Sequence, residues 1–197
     1  MGKRLNQLLQ GSSLATWEAF ATEVHGTWST PSLGDAARVE IPHAHGPIVL
    51  ERDVTMIMTG KVMIPVVSTI FTAQRPTNTA HRFSVSRANF ATSVAEWFGS
   101  LDIHVDDPAF DEAFVLKGDT PDFVRALFGD AALRDRYRAD FEGSIALKDD
   151  TAFFTDPTPG IDPFELTVSG LIEDAARLRR AYELFAATLT RLHEIGG

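Results

Sequence analysis

An unbroken row of apolar residues near the end of the chain constrains its fold more than any other feature. At its start, Asp162, Pro163 and Glu165 form the combination of capping residue, early proline and early acid that begins helices. The row alternates spacings of four and three residues, the 3.5-residue period of a heptad; its members are Phe164, Val168, Leu171, Ala175, Leu178, Tyr182, Phe185, Leu189 and Leu192. The pattern predicts one helix over Pro163–Glu194, about 48 Å long at 1.5 Å per residue.

A helix of that length spans or overhangs a domain of this size, whose diameter is roughly 40 Å. Two alternatives follow for its apolar seam. Either the seam covers a sheet of its own core, or it pairs with another helix, in this chain or in a second copy. Gly170 is the weak point, because glycine costs about 1 kcal/mol in a helix interior, and it indicates a break or a close crossing. The candidate interface residues on the seam are Leu171, Leu178, Tyr182, Phe185, Leu189 and Leu192.

The first half of the chain changes from a helical period to a strand period. Ser13 is placed to cap a helix over Leu14–Val24, and Thr27–Gly34 is predicted to be a loop. Alternating apolar residues then predict a mainly antiparallel sheet of four or five strands. The predicted strands lie at Val39 and Ile41, Ile48 and Leu50, Met56–Met58, Val62–Phe71, and His81–Arg87. A tight turn is predicted at Thr59-Gly60-Lys61.

The run Val62–Phe71 is apolar on both alternating faces, so it is expected to be covered above and below. Pro65 cannot donate to a ladder, which places it at an edge or a bulge. Left bare, such an uncharged segment is an aggregation hazard. Farther along, Ser84 and Ser86 are expected to point outward from their strand.

The second half is predicted to alternate helices and short strands. A helix is expected at Phe90–Gly99 and a short strand at Leu101–Val105, while Asp107-Pro108 and Thr120-Pro121 each begin a helix. Phe141–Leu147 and Thr151–Thr155 form a hairpin, followed by a connector at Asp156–Gly160. Together these elements predict a flexible tail at residues 1–12 and one α+β domain at 13–197. That domain has a mainly antiparallel sheet, an N-terminal helix and a long C-terminal helix.

The stretch Asp107–Phe128 resembles a pattern found in a bacterial protein family of unknown function. In that pattern, written DPxFDxxFxxKGxxPxxVRxLF, a phenylalanine and an aspartate precede a strand, an acidic turn and a helix. Gly143–Phe154 and the start at Asp162 look like its continuation. Some relatives carry membrane-spanning helices ahead of the domain, but this chain shows none. The resemblance implies no catalytic residue.

Composition and charge narrow the class of protein. With 44% apolar and 23% charged residues the chain is of ordinary globular type, and without cysteine it has no disulfide, thiol nucleophile or cysteine-bound zinc. No apolar run approaches the roughly 20 residues of a membrane span, so we expect a soluble, cytoplasmic protein. The net charge of −9 argues against a nucleic-acid partner.

One segment departs from the acidic average. Residues 54–95 contain no acid and four bases, Lys61, Arg75, Arg82 and Arg87, which are candidate binding residues for an anionic group. Their alternative role is to pair with acids of the same fold or to face water.

Few residue patterns in the sequence indicate a catalytic or metal-binding site. His43 and His45 are the best metal candidates, because residues two apart on a strand share a side, and His25, His81 or His104 is a possible third ligand. No HExxH, Gly-x-Ser-x-Gly or glycine-rich phosphate motif accompanies them, so no catalytic residue, cofactor or metal ligand is assigned.

These observations favour a non-enzymatic binding or scaffold protein that acts through protein contacts and self-associates with help from the C-terminal helix. One alternative is a metal-dependent hydrolase using His43 and His45. The other is a binder of an anionic ligand or nucleic acid through the four bases.

Overall fold

The structure is a computed structural model that describes residues 15–29, 37–76, 81–88, 102–148 and 161–196. Eight strands are present in this part of the chain: β1 (Thr27–Ser29), β2 (Arg38–Ile41), β3 (Ile48–Thr59), β4 (Val62–Pro76), β5 (Phe83–Arg87), β6 (Phe114–Gly118), β7 (Ser144–Leu147) and β8 (Ile161–Ser169). They form one sheet in the order β1-β2-β3-β4-β8-β7-β5-β6. Every neighbouring pair is antiparallel.

The helices over the described residues lie before, between and after these strands. They are α1 (residues 15–23), α2 (Pro108–Ala113), α3 (Pro121–Phe128), α4 (Ala131–Asp140) and α5 (Ala175–Gly196). The predicted fold class is therefore confirmed: an α+β fold with a mainly antiparallel sheet, an N-terminal helix and a long C-terminal helix.

The core lies on one face of the sheet. The inward side chains of neighbouring strands come into register there, as in the cross-strand pair of Leu50 with Phe71 and the pair of Phe71 with Leu166. Helices α1 and α5 supply Trp17 and Phe185, both almost fully buried. The Trp17 Nε1–H donates to the Ile172 carbonyl at 2.9 Å and so joins the two ends of the domain.

The predicted C-terminal helix is wrong for its first part, because residues 161–169 form strand β8 rather than a helix. Phe164, Leu166 and Val168 are all buried, which is the two-residue period of a strand. Pairing with β4 on one side and β7 on the other satisfies the backbone of this segment. At Gly170 (φ +82°) the chain leaves the sheet, and α5 is 22 residues, or about 33 Å, long.

Smaller differences concern the loops and the strand faces. Thr27–Ser29 is a strand where a loop is predicted, and residues 102–105 are not a strand. Ser84 and Ser86 are buried rather than outward-facing, because both faces of β5 are covered: Phe83 and Val85 on the other face are buried as well. Helix α4 has no counterpart in the prediction. The predicted elements at residues 90–99 and 151–160 and the tail at 1–12 lie outside the described residues.

A charged cluster fixes the start of α2. The Asp107 carboxylate accepts the Phe110 N–H as a helix cap, as predicted, and pairs with Arg134 (Nε–Oδ2 2.9 Å) and Arg138 of α4. The hydrogen bond from Arg138 is the main reason that the pKa of Asp107 falls from 3.8 to about 2. Because the folded state holds this carboxylate ionised, its contribution to stability is present above pH 3.8 and disappears as the pH falls through about 2.

We expect Asp107→Asn to remove that pH dependence while keeping a capping side chain. The variant should lower the midpoint of thermal unfolding at pH 7. The difference from the unmodified protein should shrink as the pH falls from 4 to 2. Calorimetry over this range is the measurement, with Asp122→Asn, at an almost fully exposed carboxylate of α3, as the control. A difference that stays constant down to pH 2 would contradict this account.

A buried hydrogen bond joins α4 to α5. The Tyr137 hydroxyl lies 3.1 Å from Thr188 Oγ1, and the Thr188 hydroxyl donates to the Leu184 carbonyl. Burial raises the pKa of Tyr137 far above its ordinary value, so the phenol is neutral at every physiological pH.

Tyr137→Phe is expected to lower the free energy of unfolding by about 1 kcal/mol, because it removes one buried hydrogen bond and leaves the ring packing intact. Denaturant titration measures the difference. Tyr182→Phe is the matched control, since the half-buried Tyr182 hydroxyl has no protein partner among the described residues. Equal effects of the two substitutions would show that the Tyr137–Thr188 contact contributes little.

Candidate interaction surface

The longest hairpin of the sheet extends beyond its neighbours. Strand β2 pairs with β3 only as far as Glu51, and β8 pairs with β4 only from Thr69 onward. Between those limits β3 and β4 pair with each other, and among the described residues the additional backbone contact is that of Gly170 with Val67 and Ser68. We call residues 54–67 the hairpin arm; at about 3.3 Å per residue it is roughly 20 Å long.

Both faces of the hairpin arm are apolar. The register pairs Met58 with Met63 on one face and Ile57 with Ile64 on the other. Seven of its large apolar side chains are between 45% and 71% exposed; they are Val54, Met56, Ile57, Met58, Val62, Met63 and Ile64. Seven such residues, each with a full area of 150–200 Å², leave on the order of 600 Å² exposed, at the upper limit for the largest patch of an ordinary monomer.

This exposure corrects the expectation that Val62–Phe71 is covered above and below. Phe71 is buried, whereas Val62 and Ile64 are about half exposed. The reason is that β8 and the helices cover only the second half of β4. Of the two predicted positions for Pro65, an edge or a bulge, the edge is confirmed, because β3 is the one described strand that pairs with that part of β4.

The tip of the hairpin arm is a two-residue turn at Gly60 and Lys61, within the predicted turn. Gly60 has φ +64°, a conformation that glycine adopts without the steric cost paid by other residues. Lys61 is exposed and is the only charged residue between Val54 and Val67. A surface of this size therefore carries one charge, at its tip.

The turn also determines which backbone groups are free. In a two-residue hairpin the flanking pair, here Thr59 and Val62, exchanges hydrogen bonds, and bonding alternates from that pair onward. The N–H and C=O groups of Val54, Met56 and Met58 therefore face away from β4, toward the open edge of β3. No other described strand pairs with these three residues.

The opposite edge, on β4, offers fewer free groups. By the same alternation, the ring nitrogen of Pro65 lies on this edge, where a donor is missing. The carbonyl of Val67 on this edge already accepts the Gly170 N–H at 2.8 Å. The β3 edge is thus the more complete template for an added strand.

The four predicted basic residues do not come together. Lys61 and Arg75 lie at opposite ends of β4, roughly 45 Å apart at 3.3 Å per residue. Arg75 is buried opposite Asp162; burial lowers its pKa and the neighbouring carboxylate acts in the opposite direction. Arg82 is exposed at the start of β5, whereas Arg87 donates to the Phe141 and Arg138 carbonyls.

His43 and His45 lie in the turn between β2 and β3 and contact α5. The third histidine near them is His193, whose ring stacks on that of His45 at 3.9 Å. The Nδ1 atom of His43 accepts the His45 N–H, and its Nε2 atom lies 3.4 Å from Thr190 Oγ1. Burial, followed by the charge of His45, lowers the pKa of His43.

The other histidines considered as third ligand lie elsewhere, a correction to the predicted grouping. His25 is exposed after α1, His81 stacks on Phe123, and His104 faces Asp111. Within the described ranges, no group of three or more histidine, aspartate or glutamate side chains has the arrangement of a metal site.

The predicted helix interface residues lie mainly in the core of this chain. Leu178, Phe185, Leu189 and Leu192 are at most 1% exposed, and the Phe185 ring stacks on Phe164 at 4.7 Å. Leu171 and Tyr182 are partly buried. The seam of α5 thus covers the sheet, which is the first of the two alternatives, and the large exposed apolar side chains lie on the hairpin arm instead.

No protein-family model, curated protein or solved structure matches this chain. Membership in a bacterial family of unknown function therefore stays a prediction. Among the described helices, none is both long and apolar enough to cross a membrane.

Proposed function

We propose that this protein is a non-enzymatic binding module that self-associates, and that the hairpin arm provides the contact between copies. The single observation that carries the proposal is the exposed apolar surface on both faces of the arm. Burial of such a surface is the main driving force of association between proteins. The cytoplasmic location expected from the sequence is also still a prediction.

The area supports a second copy of the chain as the occupant. The two arms of a dimer together expose on the order of 1,200 Å² of apolar surface, and contact between them removes part of that surface from water. Open strand edges and apolar faces are also self-complementary, so one surface serves both partners of a twofold dimer.

A lipid bilayer is a poorer occupant for the same surface. The unpaired N–H and C=O groups at Val54, Met56 and Met58 would lack partners in hydrocarbon. Residues 54–67 contain no aromatic side chain of the kind that anchors proteins at a membrane interface. Lys61 lies at the tip, which would have to enter first, and the net charge of −9 opposes binding to anionic lipids.

Oxidation of methionine is expected to report the contact directly. Met56, Met58 and Met63 are at least half exposed in the monomer, so dilute peroxide should oxidise them quickly at low protein concentration. At high concentration self-association should slow the oxidation of those methionines that lie at the contact several-fold. Peptide mass spectrometry at both concentrations measures the change. Rates independent of concentration, together with a constant monomer mass, would contradict the proposal.

A second test replaces the cross-strand pair at the tip with opposite charges. Met58→Glu together with Met63→Lys keeps a favourable pair within the hairpin but removes its apolar character. We expect the dissociation constant to rise at least tenfold, about 1.4 kcal/mol, by analytical ultracentrifugation. The matched control is Gln74→Glu, at an exposed position of β4 outside the arm. An unchanged constant in the double variant would show that the arm is not the contact.

A further inference from the structure

We infer that two copies of this chain join through the open edges of β3, paired antiparallel about a twofold axis at Ile57. In this arrangement Lys61 of each copy lies beside Asp53 of the other. The inference rests on the proposed self-association and specifies its geometry. It predicts one continuous sheet that runs through both copies, with the two arms side by side at its centre. In this sheet Met56 of each copy lies beside Met58 of the other, so these apolar side chains cover each other along the line where the two β3 strands meet.

The hydrogen-bonding groups determine the choice of edge. An added strand needs alternating donors and acceptors, and the β3 edge offers them at Val54, Met56 and Met58. The β4 edge lacks the donor at Pro65, and the acceptor at Val67 is already occupied by Gly170. The outward-facing N–H and C=O groups of β3 belong to even-numbered residues. A second β3 strand can therefore form hydrogen bonds with them only in a register that places its own even-numbered residues opposite these.

Charge leaves two of those registers, one with the partner's Lys61 opposite Glu51 and one with it opposite Asp53, and the first is excluded because Arg38 of β2 already lies opposite Glu51. Asp53 stands at the base of the arm and Lys61 at its tip, eight residues and roughly 26 Å apart, so the two do not attract each other within one chain. Antiparallel pairing about Ile57 brings the partner's Lys61 opposite Asp53, twice in each dimer. The described contact of the Asp53 carboxylate is with the Thr55 hydroxyl, at 2.6 Å, which leaves the second carboxylate oxygen available to the lysine.

The length of the arm fits the same register. Strand β2 ends opposite Glu51, so no described strand covers the β3 edge from Arg52 to the tip. With Ile57 on the axis, the partner's Gly60 lies opposite Val54 and the partner's Lys61 opposite Asp53. The incoming tip therefore reaches the end of β2 without overlapping it.

Disulfide crosslinking tests the geometry, and the absence of cysteine makes each introduced thiol unique. Ile57→Cys would stand opposite itself in a non-hydrogen-bonded pair with Cα atoms about 4.5 Å apart, within disulfide range. The control is Ile64→Cys, the cross-strand neighbour of Ile57 with nearly the same exposure. Three strand spacings would separate its two copies, roughly 14 Å.

Under mild oxidation we expect Ile57→Cys to form covalent dimers at least tenfold faster than Ile64→Cys. Equal rates, or faster crosslinking of Ile64→Cys, would overturn the β3 pairing. Such a result would not contradict self-association through the arm. A chain that sediments as a monomer at every concentration would overturn the proposed function itself, so the two failures are distinguishable.

Charge reversal tests the lysine contact by a separate measurement. Lys61→Glu or Asp53→Lys should each raise the dissociation constant roughly tenfold at low salt, and the effect should shrink in 1 M NaCl. The combined variant exchanges the two charges and should return to within about threefold of the original value. Failure of the combination to recover would show that these two residues do not meet across the interface.

Discussion

Strand β4 is longer than a compact domain of this size is wide, and much of the structure follows from that difference in length. Its fifteen residues span roughly 50 Å, whereas a compact domain of this size is roughly 40 Å across. Pairing with β8 and packing under α5 protect only the second half of the strand. Among the described strands the first half has one partner, β3, so the fold and the exposed arm are two consequences of one strand.

The apolar periodicity of the sequence indicates the strands and the helices, but it does not show which of these elements contact each other. The alternation at Val39, Ile41, Ile48 and Leu50 predicts strands correctly, because each of these side chains faces the core. The segment from Phe164 to Val168 fits both a heptad and a strand, since its apolar residues lie two and four apart. Pairing of that segment between β4 and β7 outweighs a local helix signal that is worth about 1 kcal/mol.

For the candidate interaction surface, too, the sequence shows the pattern but not the contacts. Apolar residues on both faces of Val62–Phe71 indicate that the segment needs shelter from water, but no periodicity identifies the chain that supplies it. Cover for Phe71 comes from within the molecule, whereas the described residues leave Met63 and Ile64 about half exposed. The histidines are similar: residue spacing places His43 near His45, and only the packing of α5 brings His193 to them.

An exposed arm of this kind has to avoid uncontrolled aggregation while it still supports a specific contact. Pro65 and the Gly170–Val67 hydrogen bond remove groups from the β4 edge, so growth of the sheet through that edge is hindered. The β3 edge stays open but ends in a charge at Lys61, which opposes pairing in registers that leave the lysine without an acid. Because the arm side chains are about half exposed in the monomer, their replacement removes little packing within the fold. In the proposed dimer, association and stability are thus carried by different residues.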